Sequence, residues 1–297
     1  MPGSGKLRFG WIDVAVLAAL AAIALYVAHR VDSLLHYRWN WSQIGVYLLR
    51  TDPATGQWAL GLLLQGFITT LRLALFGILL AALIGLVFGL ARVSKRLFPR
   101  LVAGFYVELV RNMPPLVFIF IFYFFLSNQV MPLLGIDQLA RVTSPPWRAT
   151  IEFLFGDPRL LENFASGLLC LVLFEGAYIT EIVRAGIQSI DKGQWEAADS
   201  LGLKRWQRMR LVVLPQALRR ILPPLAGQFI MLIKTSSIVS LISIQELTFI
   251  ATEIAVTSGR VFEIWIVVAG LYFAVSVVLS ILFQRLERGA RATLHPA

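Results

Sequence analysis

The chain has 297 residues, of which 58% are hydrophobic and 15% charged, with mean hydropathy +0.74 and formal net charge +10. The charged share lies far below the roughly 25% of soluble domains, which excludes a water-soluble globular protein. Apolar runs near the ~20 residues that cross a bilayer as helix, without ten-residue alternation, exclude an outer-membrane barrel and define an all-α integral membrane protein. Cys170 stands alone in an apolar run and His29, His36 and His295 are scattered, so no disulfide framework or metal-ligand spacing is present and no metal site is expected.

Hydropathy predicts six transmembrane helices, at about 11–29, 64–91, 104–126, 166–187, 221–244 and 264–283. The first follows Lys6 and Arg8. Its apolar stretch is longer than a signal-peptide core and no small-x-small cleavage site follows, so it reads as a retained anchor. Residues 30–63 carry Tyr37, Trp39, Trp41, Tyr47 and Trp58, the composition of a layer at headgroup level.

In the second span Gly77, Ala81, Gly85 and Gly89 recur every four residues, a stripe that lets helix backbones approach. Packing within the chain and a dimer seam both fit it. Arg72 precedes the apolar run 73–91, where it either snorkels at the outer interface or meets a substrate carboxylate. Glu108 and Arg111 share a helical face near the inner end of the third span, followed by Asn112 and the pair Pro114–Pro115. They read as a structural pair or as partners for Glu181 and Arg184. Proline pairs here and at Pro223–Pro224 free backbone carbonyls and kink their spans, which suits gating. The segment 127–165, with "SPPW" and "GDPR", is too polar to span.

Glu175 and Lys234 fall near the middle of the fourth and fifth spans, with Thr235 and Ser236 beside the lysine. They either pair with each other or face the two charges of a zwitterionic amino acid. Seventeen Lys and Arg lie in the N-terminal tail, 92–103, 184–220 and the C-terminal tail, against seven in the opposite loops. The positive-inside rule puts both termini and the 184–220 region in the cytoplasm, and the basic excess needs no nucleic acid.

That inner region contains "EAADSLGLKRWQRMRLVVLP", residues 196–215. Helix formers predict one short helix over 194–203, with Ala197, Ala198 and Leu201 on a compact face. Gly202 supplies a turn, a second helix follows over 204–213, and Pro215 ends the pattern. Such a helix serves equally as a knob for a partner's groove or as an amphipathic element on lipid phosphate.

The spacing of Glu196, Ala197, Ala198, Gly202, Val212, Leu214 and Pro215 resembles the cytoplasmic signature loop of permease subunits of bacterial ABC importers, with Val212 where isoleucine is commoner. The segments "GFITTLRLALFGILLAALIGLVFGLARVS" (66–94), "VELVRNMPPLVFIFIFYF" (107–124), "GAYITEIVRAGIQSIDKGQWEAADSLGL" (176–203) and "IKTSSIVSLISIQELTFIATEIA" (233–255) resemble the polar amino acid uptake branch.

The resemblance covers about 64–286. It implies a five-helix type I importer core with an extra N-terminal helix and outside segment, 1–63, a coupling loop at about 188–220, and a cytoplasmic tail, 287–297. It further implies an inner-membrane permease working with a cytoplasmic ATP-binding subunit, a second permease subunit (the same chain or a paralogue), an extracytoplasmic amino-acid-binding protein and membrane lipid. Gly193 to Leu203 would be the coupling helix. No cofactor is expected in this chain, since ATP and Mg would be bound by the partner ATPase. The "GSGK" at Gly3–Lys6 lacks the upstream glycine, the following Ser or Thr and a preceding strand, so it is no Walker A loop, and no catalytic residue is expected. A rival class, an ion-gradient-driven carrier with Glu175 moving protons, gives no reason for the signature loop.

Overall fold

The structure, a computed structural model, describes residues 10–35, 37–53, 56–141 and 144–292. Lys6, Arg8, the GSGK string, His36 and His295 lie outside the described residues. Two compact units divide the chain, residues 1–43 and 44–297. In the first, α1 (Trp11–Leu35) carries a window, Trp11–Arg30, long and apolar enough to cross a membrane. After it Tyr37 and Trp39 meet edge-on at 5.2 Å, and Trp39 stacks on Trp41 at 5.9 Å.

The larger unit begins with α2 (Ile44–Leu48) and a two-stranded hairpin, β1 (Leu49–Thr51) and β2 (Trp58–Leu60), paired antiparallel in the register Leu49 to Leu60. Residues 44–61 thus belong to the unit that holds the later spans, although the sequence reading grouped 1–63 together. Asp52 closes the hairpin turn by accepting from the Gly56 N–H at 2.8 Å.

Next come α3 (Leu62–Arg92), α4 (Leu97–Arg111), α5 (Pro115–Ile121), a π-helical stretch Phe122–Ser127 and α6 (Asn128–Leu133). The span expected at 104–126 is not one helix. It breaks at Asn112–Pro114, and the membrane-length segment is Pro115–Leu133. Two adjacent prolines have no N–H to continue the ladder, and proline disfavours helical backbone in the residue before it. Upstream of the break, α4 is amphipathic, burying Ala103, Gly104, Val107 and Val110 while Phe98, Leu101 and Phe105 face outward.

Beyond α7 (Ile136–Ala140) and α8 (Pro145–Phe155), the fourth span runs Pro158–Gln188 and contains α9 (Leu161–Gln188), the most buried of the described membrane-length helices. The polar loop holds α10 (Lys192–Ser200) and α11 (Arg205–Arg208). Pro215 does not end the helix there. A π-helical turn, Met209–Val213, carries α11 into α12 (Leu214–Thr235), and helical structure continues through Ile242. The wider π turn relieves the crowding of a proline ring against the carbonyl one turn earlier, so the chain passes Pro215 without breaking. Last come α13 (Leu247–Ser258), too short to span, and α14 (Val261–Ala292), whose membrane-length part is Val261–Leu286.

The core forms around α3 and α9 because the small-residue stripe lets them touch. A Cβ on Gly85 would fall 2.4 Å from the Ile179 Cγ2, and one on Gly89 2.5 Å from the Val183 Cγ1. The stripe is therefore consumed by packing within the chain. Around this pair lie an aromatic cluster of Phe118, Phe122, Phe164 and Phe174 and an aliphatic cluster of Ile179, Val183, Ile187 and Ile221.

Candidate functional site

The polar loop is a built object. Asp191 caps α10 by accepting from the Gly193 N–H at 2.8 Å. At the other end the Gly202 N–H donates to the Asp199 carbonyl and the Leu203 N–H to the Ala198 carbonyl, a Schellman closure that needs the left-handed backbone of Gly202, φ +71°. Space does not select this glycine, since nothing lies within 4 Å of a Cβ there; the dihedral does.

Side chains then clamp the two short helices together. Arg208 pairs with Asp199 and lies over the Trp195 ring at 5.2 Å, and Gln216 on α12 donates to Gln194 at 3.1 Å. This bracket decides which face of α10 is available. Ala198, grouped in the sequence with Ala197 and Leu201 as one tip, points inward and is 2% exposed, because α10 packs onto the turn Met209–Val213. Glu196 and Ala197 stay exposed, and Leu201 (78%) and Trp206 (70%) stand out as bare apolar side chains. Leu214 is half-buried and Pro215 exposed at the start of α12.

Where α9 enters this loop, one carboxylate gathers three arginines. Arg184 holds Glu181 Oε2 through Nε at 2.8 Å and Nη2 at 2.7 Å, two charge-assisted contacts on one oxygen. Arg92, from the end of α3, reaches Oε1 at 3.2 Å, and Arg111 stands 3.9 Å from Oε2. Gly104 leaves the slot for Arg92, because a Cβ there would lie 2.8 Å from its Nη1. Arg111 is thus a partner of Glu181, as its spacing allowed, whereas Glu108 is not: it accepts from Asn112 at 3.0 Å and steadies the end of α4 just before Pro114. Beside Glu181 opens a cavity of about 700 Å³ between α4, α9 and α12, with Tyr178, Arg220 and Gln228 on its walls.

Glu175 is fully buried. It takes a hydrogen bond from Gln228, while Lys234 is exposed and makes no ion pair among the described residues. The two do not pair with each other. Thr235 donates to the Met231 carbonyl at 3.1 Å, and Ser236, buried, to the Ile233 carbonyl at 2.7 Å.

Arg72 sits at the opposite end of the bundle and is committed to structure. It gives Nη2 to the Glu152 and Phe153 carbonyls at 3.0 and 2.7 Å, closing the C-terminus of α8, beside a second cavity of about 340 Å³ with Gln65, Asp157 and Gln245 on its wall.

Sequence reasoning passed over Glu246. It lies between the fifth and sixth spans, is fully buried, and caps α13 by accepting from the Phe249 N–H at 2.9 Å. The same carboxyl accepts from Tyr272 on α14 at 3.0 Å and Thr70 on α3 at 3.2 Å, and burial pushes it up to about 7 against the pull of these donors. The signal in "QELTFI" was weak: an acid at the start of an apolar helix suits its N-terminus, but glutamate is not among the usual N-cap residues.

Comparisons place this architecture among known proteins. The glutamine transport system permease protein of Escherichia coli K12 is 35% identical over 230 residues, 77% of this chain and 93% of that protein. The probable glutamine ABC transporter permease protein of Bacillus subtilis 168 is 36% identical over 79% of this chain and 96% of its own length. Among solved structures, an amino acid ABC transporter crystallised with histidines matches at 34% identity and TM-score 0.61, covering 76% of this chain and 93% of its own. An inward-facing methionine ABC transporter shares the fold at 18% identity and TM-score 0.57. Residues 77–292 match the family described as binding-protein-dependent transport system inner membrane component. Six membrane-length helices among the described residues, the packed α3–α9 pair and this match over most of the chain lead to one conclusion: the protein is a multi-pass membrane protein and belongs to the family of binding-protein-dependent transport system inner membrane components.

Proposed function

We propose that the chain is the permease subunit of an ABC importer that carries polar L-amino acids inward across a bacterial cytoplasmic membrane, with both termini on the cytoplasmic side. The bracketed loop 188–220 supports this reading most. It is the most basic connection of the chain, it is stiffened by a cap, a Schellman closure and an Arg208–Asp199 pair, and it still leaves Glu196, Ala197, Leu201 and Trp206 bare. A stiff element exposing apolar side chains in water is suited to seating in a partner, and the partner assigned here is a cytoplasmic ATP-binding subunit that hydrolyses ATP with Mg.

In this reading α10 rests on the π turn that leads into α12, so a pull on α10 moves α12, whose other contacts include Glu175 through Gln228. Gly193, Glu196, Ala197, Ala198, Gly202, Leu214 and Pro215 make up the coupling element, Ala198 and Gly202 by holding its shape and Glu196 and Ala197 by contact. Glu175, Thr235 and Ser236 lie along the solute path. Arg72 acts as a cap of α8, and Lys234 remains a surface residue of the path-lining helix. A second permease subunit completes the path, and an extracytoplasmic binding protein delivers the solute.

The test is reconstitution in proteoliposomes with the ATP-binding subunit and binding protein, scanning polar amino acids for stimulated ATP hydrolysis and uptake. The reading expects stimulation by one or a few polar amino acids and uptake that requires ATP. Uptake driven by an ion gradient without ATP contradicts it.

A further inference from the structure

The corner where α3 passes into α4 carries charge that nothing in the chain answers. Lys95, Arg96 and Arg100 are exposed and make no ion pair among the described residues. The sequence holds no acid from Leu62 through Val107, and α4 packs on α3 and α9. The carboxylate that α9 brings to this end, Glu181, is already taken by Arg92, Arg111 and Arg184.

The same corner is apolar on its outward side. Tyr106 donates to the Leu173 carbonyl at 2.6 Å, and Ala103, Gly104, Val107 and Val110 are buried. The opposite face is thereby turned out, with Phe98 (78% exposed), Leu101 and Phe105 (70%) upon it. This face is not needed to cross the membrane, because the membrane-length segment Pro115–Leu133 is complete without α4. Instead α4 keeps to one end of the bundle. Gly104 lies against the Arg92 guanidinium and Arg111 against Glu181, two groups bonded to each other, although about two turns, ~10 Å of helix, separate Gly104 from Arg111. An amphipathic helix across the end of a bundle, with bare apolar side chains and cations at its start, has the make-up of an element at a lipid interface. Beyond the Asn112–Pro114 break the bare apolar surface continues with Leu116, Val117 and Ile121 on the span itself, so it runs on into a surface that meets acyl chains.

We propose that Lys95, Arg96 and Arg100 hold the headgroup of an anionic phospholipid, in the leaflet on the side of the loop 188–220, with its acyl chains against Phe98, Leu101 and Phe105. The phosphate supplies the counter-charge that the chain lacks, and the apolar face beside it selects a lipid over a free anion or an acidic soluble partner. Each Lys or Arg next to an anionic leaflet strengthens binding about fivefold. Arg92 at the same corner closes on Glu181, so a lipid seated here braces α3 and α4 where they meet α9. The site is independent of the solute carried.

The test uses the full chain in nanodiscs holding equal amounts of phosphatidylglycerol and phosphatidylcholine with the same acyl chains, and native mass spectrometry reads the ratio of the two lipids retained. Wild type should retain phosphatidylglycerol over phosphatidylcholine by about fivefold or more, and K95Q/R96Q/R100Q should lower that ratio at least about threefold. The charge-keeping variant K95R/R96K/R100K should hold the wild-type ratio. So should K204Q/R205Q/R210Q, which removes three exposed cations of the polar loop. Equal thermal midpoints in pure phosphatidylcholine show that the variants are folded. If the triple variant does not assemble, R96Q and R100Q singly carry the test, each lowering the ratio about twofold. Four results overturn the proposal: K95Q/R96Q/R100Q keeps the ratio, K204Q/R205Q/R210Q lowers it as much, which assigns the preference to net charge, excess inorganic phosphate displaces the lipid, which assigns the cations to a free anion, or the ratio holds while the ATP-binding subunit no longer co-purifies with K95Q/R96Q/R100Q, which assigns the corner to a protein.

Discussion

Glu246 and Glu181 lie against opposite ends of α3 and are held in opposite ways. Glu246 meets Thr70 near the start of the helix and has only neutral donors around it: two hydroxyls and a backbone N–H. Glu181 meets Arg92 at the end of the helix, is partly exposed, and is surrounded by three guanidiniums. A fully buried carboxylate with neutral partners has a fixed geometry, because each lost donor leaves an unsatisfied group out of reach of water. A carboxylate that keeps 16% of its side chain exposed among arginines tolerates rearrangement, since water and a second guanidinium replace any bond that breaks. The Glu246 end is thus a clasp joining α3, α13 and α14, and the Glu181 end, beside the cavity and the loop 188–220, is where α4, α9 and α12 are able to shift.

The largest break of this contrast removes both ends together. Gly85→Leu places side-chain atoms where even a Cβ falls 2.4 Å from Ile179, forcing α3 off α9. Overpacking of this kind costs about 3 kcal/mol or more, and the variant should lose its monodisperse size-exclusion peak in detergent.

Glu246→Ala comes next. It leaves Thr70 and Tyr272 without their shared acceptor and removes the α13 cap, a loss of about 2 to 3 kcal/mol read as a drop in thermal midpoint. The clasp also carries a pH signature. With its folded value raised to about 7 from an ordinary 4.5, the native state keeps a proton that the unfolded chain releases. Stability should therefore fall as pH rises from about 4.5 to about 7 and level off above, and Glu246→Gln should flatten that slope.

Glu181→Gln should cost less, about 1 kcal/mol, because the site is partly hydrated and its arginines turn to water. Salt separates the two ends: raising ionic strength should narrow the difference between wild type and the Glu181 variant while leaving the Glu246 difference unchanged. Gly202→Ala should cost a comparable ~1 kcal/mol, the strain of a Cβ in left-handed backbone alone, since nothing lies within 4 Å of it.

Much of this was legible in the residues. Six apolar runs, the four-residue glycine stripe and the spacing from Glu196 to Pro215 depend on local composition and period, and these survive into the structure. The break at Asn112–Pro114 was written as a proline pair, yet hydropathy averaged across it because both flanks are apolar. Pro215 was read as a stop, although a π turn absorbs it. Other features depend on which side of a helix meets which neighbour, and no local period encodes that. Ala198 turned inward because α10 docks on Met209–Val213, and Arg72 found carbonyls 80 residues away. Glu175 found Gln228 in preference to Lys234. The hairpin at Leu49–Leu60 is too short for an alternating pattern to announce it.

The central claim is that the stiff loop 188–220 transmits ATP hydrolysis to the spans, and stimulated hydrolysis by reconstituted variants tests it most directly. Glu196→Lys and Gly202→Val should insert in the membrane and keep the thermal midpoint within a few degrees of wild type, yet lose the ATP hydrolysis stimulated by binding protein and amino acid. Stimulated hydrolysis at the wild-type rate in both variants would contradict the account.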